Sequence, residues 1–76
     1  MPKITIRLIG FLKKYSTIQR INLDIPEGTS AGEVHVFLRI PNSEIFQYIV
    51  NQEVVSADYL LRNNDVLDIV PPFAGG

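Results

Sequence analysis

The residues best suited to chemistry stand at the end of the sequence, Pro71-Pro72-Phe73-Ala74-Gly75-Gly76. Pro71 cannot donate to a sheet ladder and fixes its own φ, so the proline pair ends a strand and stiffens the exit. Six extended residues reach at most about 20 Å. The two glycines have no side chain, so such an end can thread a narrow channel and bring a backbone carboxylate against another protein's active site. A free carboxylate is a poor acylating agent, but once activated as an acyl adenylate it can accept sulfur or an amine. The tail is then the reacting group and the domain its handle.

No other constellation competes with it. The 76 residues include no cysteine, which excludes a disulfide framework, a thiolate zinc site and a nucleophilic thiol. The lone His35 lies on a predicted helix between Val34 and Val36 and reads as a partly solvated surface residue. Asp65 and Asp68 are three apart around a strand start and point to different sides, which makes a poor acid and base pair. Lys13-Lys14 reads as a solvated corner, and Gly28-x-x-x-Gly32 sits in a polar loop, where its membrane-helix spacing has no use. There is no phosphate loop, no Gly-x-Gly-x-x-Gly and no metalloprotease motif, and no metal site is expected. A substrate pocket is hard to build from so small a core, so no independent active site is expected. The net charge of -1, spread along the chain, argues against nucleic acid or an anionic membrane as partner. No apolar run approaches the roughly 20 residues of a membrane span, and the start of the sequence lacks a signal peptide's apolar core, so a cytoplasmic protein is the default. At 46% hydrophobic residues the chain is too apolar for disorder.

The elements that must position the tail are short and sharply punctuated. Lys3 to Ile9 alternates, with Ile4, Ile6 and Leu8 to one side and Thr5, Arg7 and Ile9 to the other, the period of a half-buried strand. Gln19 to Ile25 repeats the pattern with Ile21, Leu23 and Ile25 inside. The stretch Gly10 to Ile18 between them is too long for a tight hairpin. Ser30-Ala31-Gly32-Glu33 matches a capping box, and Val34, Phe37 and Leu38 follow at the spacing of one helix face. Burying those three side chains would contribute roughly 1.5–3 kcal/mol each. Pro41 stops this helix of about ten residues, and Gly32 weakens its first turn. Phe46 to Val50 is a third strand, Asn51-Gln52 a turn into Glu53-Val54-Val55, and Ser56 to Leu61 either a loop or one helical turn. Asn63-Asn64-Asp65 turns into a last strand, Val66 to Val70, with Leu67 and Ile69 on one face and Val66, Asp68 and Val70 on the other.

This order predicts an α+β domain of the β-grasp, ubiquitin-like type over residues 1–70, a mixed sheet with one face covered by a single main helix, followed by an extended tail over 71–76. A plain meander with a peripheral helix is the competing topology.

Val50-Asn51-Gln52, Val55-Ser56, Asp58, Leu61, Asp65 and the Pro71-Pro72-x-x-Gly75-Gly76 ending resemble the small subunit of molybdopterin synthase, a member of the MoaD- and ThiS-like β-grasp sulfur carriers. The resemblance covers about the last thirty residues. Asn64 stands where the family commonly has Gly, and Ile40 to Ile45 leaves little or no room for a second helical segment often seen there. The resemblance implies that an E1-like, ATP-using enzyme adenylates Gly76, and that a sulfur donor protein converts the adenylate to a thiocarboxylate. A larger catalytic synthase subunit then accepts the tail, and the sulfur passes to a pterin precursor of the molybdenum cofactor. Gly76 would carry the sulfur, Gly75 allow close approach, and Pro71, Pro72, Phe73 and Ala74 guide the tail, while the carrier itself binds no cofactor. The alternatives are the same chemistry for thiamine or another pathway, or a ubiquitin-like modifier joined to lysines.

A docking surface follows from the alternation. Val66 and Val70 share an outer strand face with Asp68, Ile9 lies on the outer face of the first strand, and one of Val54 and Val55, taken as Val54, points outward. Phe73 is the better anchor, because aromatic residues outside a core often carry interfaces.

Overall fold

Five strands form one sheet in a computed structural model that describes residues 1–45 and 47–72. They are β1 (Lys3–Leu8), β2 (Ile21–Asp24), β3 (Gln47–Val50), β4 (Glu53–Val55) and β5 (Val66–Val70). Their order across the sheet is β2-β1-β5-β3-β4. β1 and β5 pair in parallel at the centre, with Ile6 opposite Leu67 and Arg7 opposite Asp68. All other neighbours are antiparallel. The central parallel pair excludes a meander and gives the mixed sheet of the β-grasp fold.

The predicted alternation puts the core where it was expected. Ile4, Ile6 and Leu8 of β1, Tyr48 and Val50 of β3, and Leu67 and Ile69 of β5 are buried on one face. Ala31, Val34 and Ile40 from the helical segment join them in one cluster. Burial holds the Tyr48 hydroxyl above its usual pKa.

The cap of that segment closes as the sequence predicts. The Glu33 carboxylate accepts the Ser30 amide at 2.8 Å and the Ser30 hydroxyl at 3.1 Å. A 3₁₀ turn, Ala31–Glu33, leads into helix α1, Val34–Leu38, which is shorter than expected. Its end comes before Pro41, at Arg39, which enters the left-handed region with φ 59°. The Arg39 amide donates to the Val36 carbonyl and the Ile40 amide to the His35 carbonyl at 3.0 Å, the paired bonds of a Schellman ending. The covered face also differs from expectation. Val34 is buried and Leu38 partly so, but Phe37 is 48% exposed, so Phe37 does not supply the burial energy assigned to it. Ile40, swung inward by the left-handed residue before it, takes its place. A single 3₁₀ turn, Asn42–Glu44, fits the short stretch before β3.

The long β1–β2 connection has structure of its own. Gly10 adopts φ +60° and opens a 3₁₀ helix, Gly10–Tyr15, whose Leu12 is fully buried. Asn51 and Gln52 both have positive φ, the signature of a tight hairpin turn between β3 and β4. Asn64, at φ 71°, occupies the left-handed position that its residue type tolerates. The stretch Ser56 to Leu61 is a loop with a turn at Ala57-Asp58, tied to the helical segment by a bridge between Ser30 and Leu60 and by the Ala31 and Gly32 amides, which donate to the Tyr59 and Ala57 carbonyls.

Candidate tail exit and docking face

The site starts from β5, the central strand, because the tail leaves from its end. The Ile9 amide donates to the Ile69 carbonyl at 3.1 Å, which holds the chain just after β1 against the end of β5. Pro71 follows and is fully buried. It lies against Gly10, where a Cβ would stand 3.2 Å from the Pro71 Cγ. Gly10 therefore serves two needs, a positive φ and room for the proline. Pro72 is half-buried. The exit is thus fixed by a buried ring on the strand end. Phe73, Ala74, Gly75 and Gly76, assigned to the tail, lie outside the described residues.

The outer face of the sheet surrounds this exit. Ile9, Val66 and Val70 are half-buried on it. Val54, from the other edge, is exposed and registers with Ile49, which in turn registers with Asp68. The register settles the choice between Val54 and Val55, since Val55 lies opposite the buried Tyr48. Ile9 and Val70 stand close to the exit, whereas Val54 is two strands away from β5. Ile49 was missed, although alternation from Tyr48 was enough to place it on this face.

At the centre of the face, the Arg7 guanidinium grips Asp68 through two bonds, Nε to Oδ1 and Nη2 to Oδ2, both 2.7 Å. The hydrogen bond to Asp68, and then its charge, hold the Arg7 pKa above its usual value. This pair explains how a carboxylate sits on the middle strand with only 11% of its side chain exposed. Asp68 is therefore held by Arg7 through both of its carboxylate oxygens. Asp65 is likewise occupied. Its Oδ1 accepts the Asn51 side-chain amide at 3.0 Å, and its Oδ2 accepts the Arg62 backbone amide at 2.8 Å. His35 turns its Nδ1 to the Ile40 carbonyl at 2.9 Å, a bond that belongs to the helix end. Lys14 lies 3.7 Å from Glu44 and over the rings of Phe11 and Tyr15 at 5.5 and 5.3 Å. The Lys13-Lys14 corner thus keeps only Lys13 free of such contacts among the described residues.

Among the described residues, no cluster of three or more His, Asp or Glu side chains could hold a metal ion. No helix there is long and apolar enough to cross a membrane.

The ThiS family model matches residues 6–76, nearly the whole chain. The chain belongs to the ThiS family. No curated protein matches it. Among solved structures, it is similar to a putative molybdopterin converting factor subunit 1 from Pyrococcus furiosus. The TM-score is 0.77 at 17% identity, covering 96% of this chain and 100% of that one. It is also similar to small archaeal modifier protein 1 from Haloferax volcanii, with a TM-score of 0.78 at 16% identity, covering 96% and 100%. Subunits 1 and 2 of molybdopterin-converting factor from Helicobacter pylori were solved as a complex. A chain of that complex matches with a TM-score of 0.63 at 15% identity, covering 97% of this chain and 99% of that one. At these identities the likeness carries the fold, a ubiquitin-like β-grasp, while the family match carries the class of sulfur carriers and related modifiers.

Proposed function

We propose that this ThiS-family chain carries sulfur on the carboxylate of Gly76 for assembly of molybdopterin. In the first step a carboxylate oxygen of Gly76 attacks the α-phosphorus of ATP on an E1-like enzyme, and pyrophosphate leaves. The outer sulfur of a donor protein's persulfide then attacks the acyl carbon and AMP leaves, giving an acyl disulfide. A partner thiolate attacks the donor's inner sulfur, forming a disulfide with it and releasing the acyl sulfur with the bonding electron pair. The resulting thiocarboxylate enters a larger synthase subunit and gives its sulfur to the pterin precursor. The carrier contributes the reacting end and the surface that positions it; ATP and the catalytic groups belong to its partners.

One observation carries this reading: the family match runs through Gly75 and Gly76, so the glycine end lies in the part of the chain that the family shares. The Pro71-Pro72 pair ahead of it favours the molybdopterin branch over thiamine, and the subunit 1 and 2 complex from Helicobacter pylori supports a larger partner subunit. Zero cysteines fit as well, because sulfur held by this chain as a nucleophile has only the terminal carboxylate to sit on.

Intact mass of the protein isolated from its own cells tests the reading. The expected product has one terminal oxygen replaced by sulfur. A second reading, a ubiquitin-like modifier, is favoured by the likeness to small archaeal modifier protein 1 and predicts lysine-linked conjugates instead. An unmodified protein whose function survives deletion of Gly75-Gly76 would sink both.

A further inference from the structure

We infer that Lys13 and Arg20 form a cationic rim beside the tail exit that meets a carboxylate-bearing surface at the channel mouth of the adenylating partner. The inference rests on the sulfur-carrier reading above. A groove of about 300 Å³ runs along the β1–β2 end of the molecule, lined by Arg7, Leu8, Ile9, Lys13, Gln19 and Arg20. Lys13 belongs to the 3₁₀ helix whose first residue, Gly10, packs on Pro71, so it flanks the point where the tail departs. Arg20 shares the groove with Lys13 and Ile9 while reaching back over the sheet face toward Asp68 and Val66.

Among the described residues, local charge accounting leaves both cations unpaired, as it does Lys3, Arg39 and Arg62, which do not line this groove. Asp68 is taken by Arg7 through both carboxylate oxygens. Glu44 is taken by the Tyr15 hydroxyl at 2.8 Å and by Lys14. Among the described residues, neither Lys13 nor Arg20 has a carboxylate within 4.0 Å. Asp24, the acidic residue of β2, registers with Lys3 at the far end of the pair. The groove therefore carries two cations without a carboxylate partner among the described residues, in a protein of net charge -1.

Reach decides what that charge meets. From Pro71 the remaining five residues extend at most about 17 Å. ATP must lie at Gly76, at the far end of that span, so the rim stays well short of the phosphates when the tail is extended. Whatever encloses the tail must instead press its channel mouth against the ring around Pro71. Carboxylates at that mouth would neutralise Lys13 and Arg20 and steer the encounter.

The test is the double charge reversal Lys13→Glu/Arg20→Glu, assayed as ATP–pyrophosphate exchange with the purified adenylating enzyme of the same cell over a salt series. Both side chains are on exposed residues, so an unchanged melting temperature is expected. At low salt, kcat/KM should fall on the order of tenfold through KM, with kcat kept, and the gap to wild type should close at high salt. The conservative pair Lys13→Arg/Arg20→Lys should behave as wild type. A double reversal that exchanges as fast as wild type at low salt, or a deficit indifferent to salt, overturns the rim while leaving the carrier reading intact. Wild-type protein that supports no exchange overturns both.

Discussion

Asp65 shows how a side chain that sequence offers as spare chemistry becomes architecture. Its two oxygens hold the Asn51 side chain and the Arg62 amide, and Asn51 in turn accepts the Val66 amide at 3.0 Å and donates its own amide to the Val66 carbonyl at 2.9 Å. The β3–β4 turn and the start of β5 are thereby locked together. Asp65→Ala leaves a backbone donor and a side-chain amide without their acceptor at a buried position, a loss of about 1–3 kcal/mol. That corresponds to a melting temperature lower by roughly 4–8 °C per kcal/mol in a domain of this size. Thermal unfolding checks it, and an unchanged midpoint would show that water replaces the carboxylate at no cost. The sequence made Asp65 a poor catalytic acid from its spacing alone. It could not show its actual partners, because Asn51 is fourteen positions away and meets it only once β3 and β5 pair.

At the scale of elements, the helical segment was legible at its start and misread along its length. The Ser30–Glu33 cap is local, so spacing was enough to find it. The face was not local: after Val34 the chain makes barely one more turn before Arg39 reverses it, and the inward position passes from Phe37 to Ile40. The same short-range blindness hid the 3₁₀ helix at Gly10–Tyr15, although Leu12 and Tyr15 stand at its three-residue period. By propensity Gly32 weakens the first turn, and the packing shows its purpose. A Cβ there would come within 2.7 Å of the Ala57 Cβ and 3.1 Å of the Ala57 carbonyl oxygen, while the Gly32 amide donates to that carbonyl at 2.9 Å. Gly32→Ala gains at most about 1 kcal/mol of helix propensity and incurs overpacking strain of about 1–3 kcal/mol. The variant should unfold at lower urea concentration, and adding Ala57→Gly should recover part of the loss. A higher midpoint for Gly32→Ala would mean that the loop yields freely.

The cap also sets an acid limb. Hydrogen bonds from the Ser30 amide and then the Ser30 hydroxyl hold the Glu33 carboxyl below its ordinary pKa, against a smaller opposing effect of burial. The folded state therefore binds this proton less readily than the unfolded state. Its contribution to stability is present above the unfolded pKa and is lost as pH falls through the lower folded value. Urea midpoints of wild type and Glu33→Gln, followed from neutral to acid pH, should converge at the acid end. A constant separation across that range would assign the difference to something other than ionisation.

In the proposed reading the whole molecule is a handle for a reacting end, with the boundary placed at the proline pair. The alternating strands announced a one-sided sheet, but the parallel pairing of the first and last strands joins residues about sixty apart and could be inferred only from element order. That pairing places the tail at the centre of the sheet edge, held by Pro71 on Gly10. Pro71→Ala should lower the melting temperature, because it empties a fully buried position. Phe73→Ala should leave the melting temperature unchanged and weaken binding to the adenylating enzyme and the synthase subunit, as expected of an aromatic anchor beyond the core. Measured side by side, the two variants draw the line between handle and tail. If Phe73→Ala destabilises the fold as much as Pro71→Ala, the handle extends past the prolines, and fewer residues remain to carry Gly76 into a partner.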